Sequence, residues 1–370
     1  MKIPLCRPSI DDSELRTINK SLKTPWLTHG PYNLEFEKKF KNKVKSNYAI
    51  SMNSCTSALE CAVLCLGKKG EIIIPSFTWV STANAVINSG CTPVFADINL
   101  DTKNIDPESI VKKITKKTIA IMVVHFGGLP CNMTEISKFC KKKNISIIED
   151  SAETLGAKIN KKFTGTFGTG CFSFFPTKNI TTTEGGMLTT DNKKIYNYVK
   201  KLIAHGIDKN IKKKFWHRVA ILPGHNFRMP NHLAAIGFSQ LKKIEKFNRA
   251  RNKIAYLYNS ELSNPIYKIN IPYMPKGFSH SYQMYTITVS AKIRDSLLIF
   301  LKKNNIEASA HFDPPLHLQK YLKKYNKTKL PMTEKLSKEI ITLPIFPDMT
   351  KKEVFYVIEC IKKFYKKNNL

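Results

Sequence analysis

The sequence predicts an α/β fold built on a mostly parallel sheet of about seven strands, followed by a smaller C-terminal α+β unit. Three observations carry that expectation. Short apolar runs rich in β-branched residues recur through the first half of the chain. Helical stretches separate most of them. After residue 230 the texture changes, and one long helical pattern leads away from the runs. We therefore expect a large domain over residues 1–250 and a small one over 251–370.

The elements follow in order. Leu15, Ile18 and Leu22, then Phe36, Phe40 and Val44, stand at helical spacing and predict two amphipathic helices. Between them "TPWLTHGP" (24–31) is a Pro/Gly-bounded loop. The apolar runs are "YAISM" (48–52), "EIIIP" (71–75), "TPVFADI" (92–98), "IAIMVVHF" (119–126), "ISIIED" (145–150), "CFSFF" (171–175) and "GMLTT" (186–190). Continuous runs of this length suit strands buried on both faces. Alternation with helices near 56–67, 78–89 and 132–143 makes the sheet parallel. The last two runs have no helix between them and predict an antiparallel hairpin. Beyond them, "HLAAIGFSQLKKIEKFNRARNKIAYLYNSEL" (232–262) reads as a long helical pattern, "SYQMYTITV" (281–289) as a strand, and 294–304 and 350–366 as helices.

Composition narrows the class. A chain of 370 residues with 42% hydrophobic and 24% charged content is that of a soluble globular protein. The net charge of +32 invites a nucleic-acid or anionic-membrane reading. Yet only seven of the 60 Lys+Arg are arginine, whereas base and phosphate recognition favours the arginine fork. The lysines recur throughout, often in runs such as 112–113, 141–143, 212–214 and 302–303. A solvated lysine surface is the favoured reading, and steering of an anionic substrate is the alternative. The nine cysteines include no CxxC pair; Cys61 and Cys65 share a helix face that reads as a core stripe, and no metal site is expected. Their odd number and apolar settings suggest reduced thiols. The opening "MKIPLCRPSIDD" lacks a signal-peptide run, and no stretch reaches transmembrane length, so a cytoplasmic protein is expected.

Ligands of open α/β sheets bind at the C-terminal ends of the strands. Three features fall there. Asp150 closes an apolar run. "NSCTSALECAV" (53–63) joins a strand to a helix, so Thr56 and its neighbours offer free backbone N–H groups to an anion. Lys178 follows "CFSFF" and is the only basic residue between Phe163 and Thr190. Each feature alone has a plain explanation: an Asp after a strand is commonly a helix cap, a small-residue turn is commonly only a turn, and a lysine is commonly solvated. Together they make an anion cup, a carboxylate and an isolated amine. Such an amine, partly desolvated, attacks aldehydes, and a carboxylate beside a pyridine nitrogen keeps that nitrogen protonated. These are the needs of pyridoxal 5′-phosphate. Trp79, in "PSFTWVSTANA", offers a plane to stack on its ring, or else packs in the core.

At these residues the chain resembles the DegT/DnrJ/EryC1/StrS group of nucleotide-sugar aminotransferases. "SFFPTKNITTTEGG", "IEDSAETLGA", "MNSCTSALECAV" and "GHNFRMPNHLAAIGFSQL" carry the likeness, which runs from "IPLCRPSI" to "LPIFPDMTKKEVFYVIECIKKF". The resemblance implies the fold-type I, aspartate-aminotransferase-like architecture and a homodimer with composite active sites. It implies that Lys178 bonds the cofactor's aldehyde and moves the proton during amino transfer. It places Asp150 at the pyridine nitrogen, Glu153 at the ring hydroxyl, Trp79 on the ring, and Ser173, Thr56 and the Cys55 backbone at the phosphate. Asn226 would reach the phosphate of the partner subunit, and His317 would contact the substrate. There are departures: Cys55 stands where many relatives have Gly, Glu153 where Gln or His is common, and Thr183 in place of the usual Gly of "TTGEGG". Relatives that dehydrate sugars carry His at the position of Lys178, so the lysine implies transamination.

The resemblance further implies L-glutamate as donor and a nucleotide-linked keto-6-deoxy sugar as acceptor. "TPWLTHGP" is similar to the "WLTTGP" segment of enzymes that act at C4; a C3 aminotransferase of the same family is the alternative. A basic nucleic-acid-binding or regulatory protein is the rival from another class. It would account for the charge but not for the neutral surroundings of Lys178, and no nucleic-acid-binding motif is recognised.

Overall fold

A computed structural model describes residues 1–208, 211, 214, 216–326 and 328–368. Lys212 and Lys213 of one lysine run lie outside the described residues. The chain opens with helices α1 (Asp12–Leu22) and α2 (Pro31–Val44). It then alternates through β1 (Tyr48–Met52), α3 (Cys55–Leu64), β2 (Glu71–Pro75), α4 (Val80–Asn88), β3 (Thr92–Ala96), α5 (Pro107–Lys113), β4 (Thr118–Val124), α6 (Met133–Lys143) and β5 (Ser146–Asp150). Two short strands, β6 (Lys158–Ile159) and β7 (Lys162–Phe163), precede β8 (Thr169–Ser173), β9 (Gly186–Thr190) and α7 (Lys193–Leu202).

The main sheet has seven strands in the order β1-β9-β8-β5-β4-β2-β3. β2 runs parallel to β3 and β4, β4 to β5, and β5 to β8. β9 is antiparallel to both β8 and β1, so β1 points the same way as β8. The expected sheet and its hairpin are both present. The continuous apolar runs have a direct cause. Ile72 and Ile74 of β2, with Ala120 and Met122 of β4, face a core made with α3 and α4. Ile73, Ile121 and Val123 face the opposite core, made with Ile110 of α5 and Ile136 of α6. Both faces are covered, so the polar residues of these strands, Glu71 and Thr118, stand at their starts and the rest of each run is apolar.

Lysine runs sit where helices end. Lys112 and Lys113 occupy the last turn of α5, and Lys141, Lys142 and Lys143 that of α6, where cations favour the helix dipole. All nine cysteines are free thiols, and Cys61 lies in the α3 core. No helix of the described residues is long and apolar enough to cross a membrane.

The long helical pattern beyond residue 230 is two helices, α8 (Asn231–Leu241) and α9 (Ile244–Leu262). At the break, Lys243 Nζ reaches Asp11 at 2.8 Å and the buried Glu14 at 2.7 Å, fastening the turn to α1. Within α9, Ile244 and Phe247 pack with Phe36 and Phe174, while Ile254, Tyr258 and Leu262 enter a separate core. That second core gathers β11 (Tyr285–Thr288), α10 (Ala291–Lys303), β12 (Ile340–Leu343) and α12 (Lys351–Lys367). Between α10 and β12, Leu316, Leu322 and Leu330 return to the first core, ahead of α11 (Pro331–Glu339). A two-residue strand, β10 (Phe278–Ser279), pairs with β6. The strand expected over 281–289 is short. Its first residues instead bond the turn that follows β4, where Ser281 N–H donates to Gly128 O and Met284 N–H to Gly127 O, each at 3.0 Å.

Candidate active site

The C-terminal ends of β1, β2, β4, β5 and β8 converge on a cavity of about 390 Å³. Its walls include Cys55, Thr56, Trp79, Asp150, Glu153, Ser173 and Lys178, residues far apart in sequence that the sheet brings together. Among the described residues lining it, Lys178 is the sole Lys or Arg, facing the carboxylates of Asp150, Glu153 and Glu184. The lysine surplus of the chain stops at this wall.

Each group is set by its element. Ser54 caps α3, its side chain accepting from Ser57 N–H at 3.1 Å. The N–H groups of Cys55 and Thr56 begin the helix and have no partner within the described residues, so they remain available to an anion. β9 runs directly beneath this helix start. A Cβ on Gly186 would lie 2.4 Å from the Ser54 carbonyl carbon, so only glycine allows that approach. Thr56 Oγ1 donates to Ser81 Oγ at 3.1 Å, and Ser173 Oγ accepts from Phe175 N–H at 3.4 Å.

Asp150 ends β5 in a buried position. Its Oδ2 accepts from Thr82 Oγ1 at 3.0 Å and its Oδ1 from Ala152 N–H at 3.2 Å. Burial pushes its carboxyl above the usual range, opposed by those hydrogen bonds and by Lys178. Burial, aided by the charge of Asp150, likewise raises the Cys55 thiol well above its ordinary value. Lys178 Nζ lies 3.4 Å from Glu153 Oε1. Glu153 Oε2 accepts from Gly127 N–H at 2.7 Å. Trp79 stands at the N-cap of α4 and is 63% exposed, on the cavity wall and outside the core.

Thr183 occupies the left-handed region at φ +66°, the conformation a glycine adopts without strain. Its N–H donates to Thr181 Oγ1 at 2.9 Å, which holds the turn between Lys178 and β9. The replacement of Gly by Thr therefore leaves the left-handed turn in place.

Two sequence-assigned residues lie away from this cavity. His317 is buried, its Nδ1 2.6 Å from Ser76 Oγ and its Nε2 3.3 Å from Glu334 Oε1, and it does not line the cavity. His311 of the same segment does line it, with Nδ1 2.8 Å from Thr342 Oγ1. Burial lowers its pKa, so it is neutral at neutral pH. Asn226 is exposed outside the cavity, its Oδ1 accepting from the Arg228 guanidinium at 3.0 Å. Sequence reasoning also missed Thr82, Gln283 and Phe312. Thr82 had a signal, since it stands one helical turn after Trp79. The two histidines had none, because irregular chain carries no period to say which one turns inward.

The residues present suit pyridoxal 5′-phosphate. The donor set offers unpaired helix N–H groups for a phosphate, a buried carboxylate for a ring nitrogen and one amine for an aldehyde. The family model of the DegT/DnrJ/EryC1/StrS aminotransferases matches residues 8–362. The chain belongs to that family. It is a pyridoxal phosphate-dependent sugar aminotransferase with the fold of that group. An uncharacterised protein of Methanocaldococcus jannaschii is 39% identical, over 99% of this chain and 98% of its own. The GDP-perosamine synthase of Escherichia coli O157:H7 is 36% identical over 98% of each chain. Among solved structures, the Helicobacter pylori aminotransferase PseC, involved in pseudoaminic acid biosynthesis, superposes with a TM-score of 0.94 at 28% identity, over 99% of this chain and 100% of its own.

Proposed function

We propose that this aminotransferase moves the amino group of L-glutamate to the 4-keto carbon of a nucleotide-linked 6-deoxyhexose. The observation that carries the chemistry is Lys178, the single Lys or Arg among the described residues that line a cavity shared with the buried carboxylate of Asp150. The C4 assignment is supported by "TPWLTHGP" (24–31) and by the likeness to a GDP-perosamine synthase, an enzyme of C4 amination.

Bound in this cavity, pyridoxal 5′-phosphate would supply an electron sink for the proton transfers of both half-reactions. Lys178 would hold its aldehyde carbon and afterwards carry the proton to and from the substrate carbon. Asp150 would keep the ring nitrogen protonated, and Glu153 would face the ring hydroxyl. The N–H groups of Cys55 and Thr56, with the hydroxyls of Thr56 and Ser173, would bind the phosphate. Trp79 would cover one face of the ring and exclude water from it. Asn226, exposed and outside the lining of its own cavity, would serve the phosphate site of a second subunit, and the working unit would then be a homodimer.

The test is product identification. The protein is incubated with glutamate and a panel of nucleotide-linked 4-keto and 3-keto 6-deoxy sugars, with GDP, UDP and dTDP as carriers. Mass and NMR should place a new amine on C4. An amine on C3 would reverse the regiochemistry, and no amine with any sugar would reject the reading.

A further inference from the structure

Lys178 and Glu153 form the ion pair of the cavity. Their 3.4 Å contact is enclosed, with side-chain exposures of 16% and 10%. An ammonium has no lone pair and cannot attack an aldehyde, so Lys178 must lose a proton inside the cavity before it can bond a carbonyl carbon. Asp150 is less well placed to receive it: its oxygens are engaged by Thr82 Oγ1 and Ala152 N–H, and the ion pair of Lys178 is made with Glu153 instead. Glu153 is differently arranged. Gly127 N–H occupies Oε2 at 2.7 Å and leaves Oε1 for Lys178 alone.

That arrangement is anchored from behind. Asn104, buried, accepts from Phe126 N–H at 2.8 Å and donates to Leu129 O at 3.0 Å and Pro130 O at 3.1 Å. Met284 N–H donates to Gly127 O at 3.0 Å. The turn that presents the Gly127 N–H is thus clamped from two segments, and one carboxylate oxygen is fixed while the other faces the amine. The ionisable groups around the pair are Asp150 from β5, Glu184 from the β8–β9 turn, His311 from the segment after α10 and the thiols of Cys6 and Cys55. His311 is held neutral by burial.

We propose that Glu153 is the general base that deprotonates Lys178 when the enzyme captures its cofactor, a role that rests on Lys178 being the residue that bonds the aldehyde. One N–H bond of the ammonium breaks, its electron pair stays on Nζ, and the proton forms an O–H bond on Glu153 Oε1. The freed lone pair attacks the aldehyde carbon. The aldehyde oxygen then leaves as water with the two hydrogens remaining on Nζ, so all atoms and charges are accounted for. Lys178 is the nucleophile and Glu153 the proton acceptor.

The experiment follows the rate at which the protein, stripped of cofactor, captures added pyridoxal 5′-phosphate, read from the visible absorbance in stopped flow. Borohydride reduction and peptide mass then identify the residue labelled. Glu153→Gln keeps the shape and the acceptor for Gly127 N–H but takes no proton, and its capture rate should fall on the order of 10²-fold. Glu153→Ala should be equally slow and should recover with added formate, a small carboxylate able to enter the vacated space; Glu153→Gln should not recover. Labelling should stay on Lys178 in every variant. Capture by Glu153→Gln at the unaltered rate would overturn the proposal, and so would a slow Glu153→Ala that formate leaves unchanged. Label on another residue would instead reject the assignment of Lys178 itself.

Discussion

Thr82 Oγ1 donates a hydrogen bond of 3.0 Å to Asp150 Oδ2. The bond ties α4, which carries Trp79 at its N-cap, to the end of β5. Thr78 Oγ1, just before the helix cap, lies 3.2 Å from Thr82 Oγ1 and extends the chain of hydroxyls back to the loop that follows β2. The plane expected to cover the cofactor ring and the carboxylate expected to pair with it are therefore set by one helix.

Thr82→Val removes the hydroxyl at constant shape. Hydrogen bonds to charged groups are worth about 1.5–3 kcal/mol, so we expect kcat to fall roughly 10-fold or more with KM for the sugar little changed. Thr82→Ser should restore most of the loss. Steady-state kinetics on the three proteins decides the matter; an equal loss in the Ser variant would make the effect one of packing.

Asp150→Asn should slow turnover by at least ~10²-fold while leaving the cofactor-free protein no less stable. The sign follows from its raised pKa. The fold favours the protonated carboxyl, so the stabilisation is complete below the ordinary value of 3.8 and is lost as pH rises through the higher folded value. At neutral pH the buried carboxylate opposes folding, and Asn relieves this while still accepting from Ala152 N–H. Thermal midpoints of the two cofactor-free proteins should show the variant level or ahead at pH 7, with any lead shrinking in acid. A clearly lower midpoint for Asn at pH 7 would contradict the assignment of strain to Asp150.

Thr183→Gly should stabilise the protein. A β-branched residue at φ +66° bears left-handed strain of about 1–2 kcal/mol, partly offset by the greater freedom glycine gives the unfolded chain. Because Thr183 is exposed, little packing is lost. We expect a gain of about 0.5–1 kcal/mol in urea unfolding. A loss would mean that the threonine side chain contributes more to the turn than its backbone strain removes.

The composite site can be tested by mixing. Lys178→Ala and Asn226→Asp homodimers should each be inactive. After subunit exchange, a heterodimer carries both lesions in one site and neither in the other, so random pairing should restore about a quarter of full activity. If demonstrated exchange restores nothing, the two residues act within one subunit.

Much of the fold and part of the site were legible because they are local. The apolar runs of β2, β4 and β5 announce burial on two faces, and a small-residue turn ahead of α3 announces free N–H groups. Lys178 stood out by contrast with a lysine-rich chain, and Asp150 by its place after an apolar run. Pairwise geometry was not legible, since it depends on residues distant in sequence. The splitting of α8 from α9 is held by Lys243 meeting Asp11 and Glu14 more than 200 positions away. The choice of His311 over His317 for the cavity wall is made by Ser76 and Glu334, which draw His317 into the interior. The partner of Asp150 became visible only when β2 and β5 entered one sheet and brought α4 over the strand end. The sequence by itself determined which segments are strands and which chemical groups stand at their ends, because periodicity and composition act over a few residues. Tertiary structure decided which of those groups touch, because hydrogen bonds act over about 3 Å and only the packed sheet brings distant residues within that range.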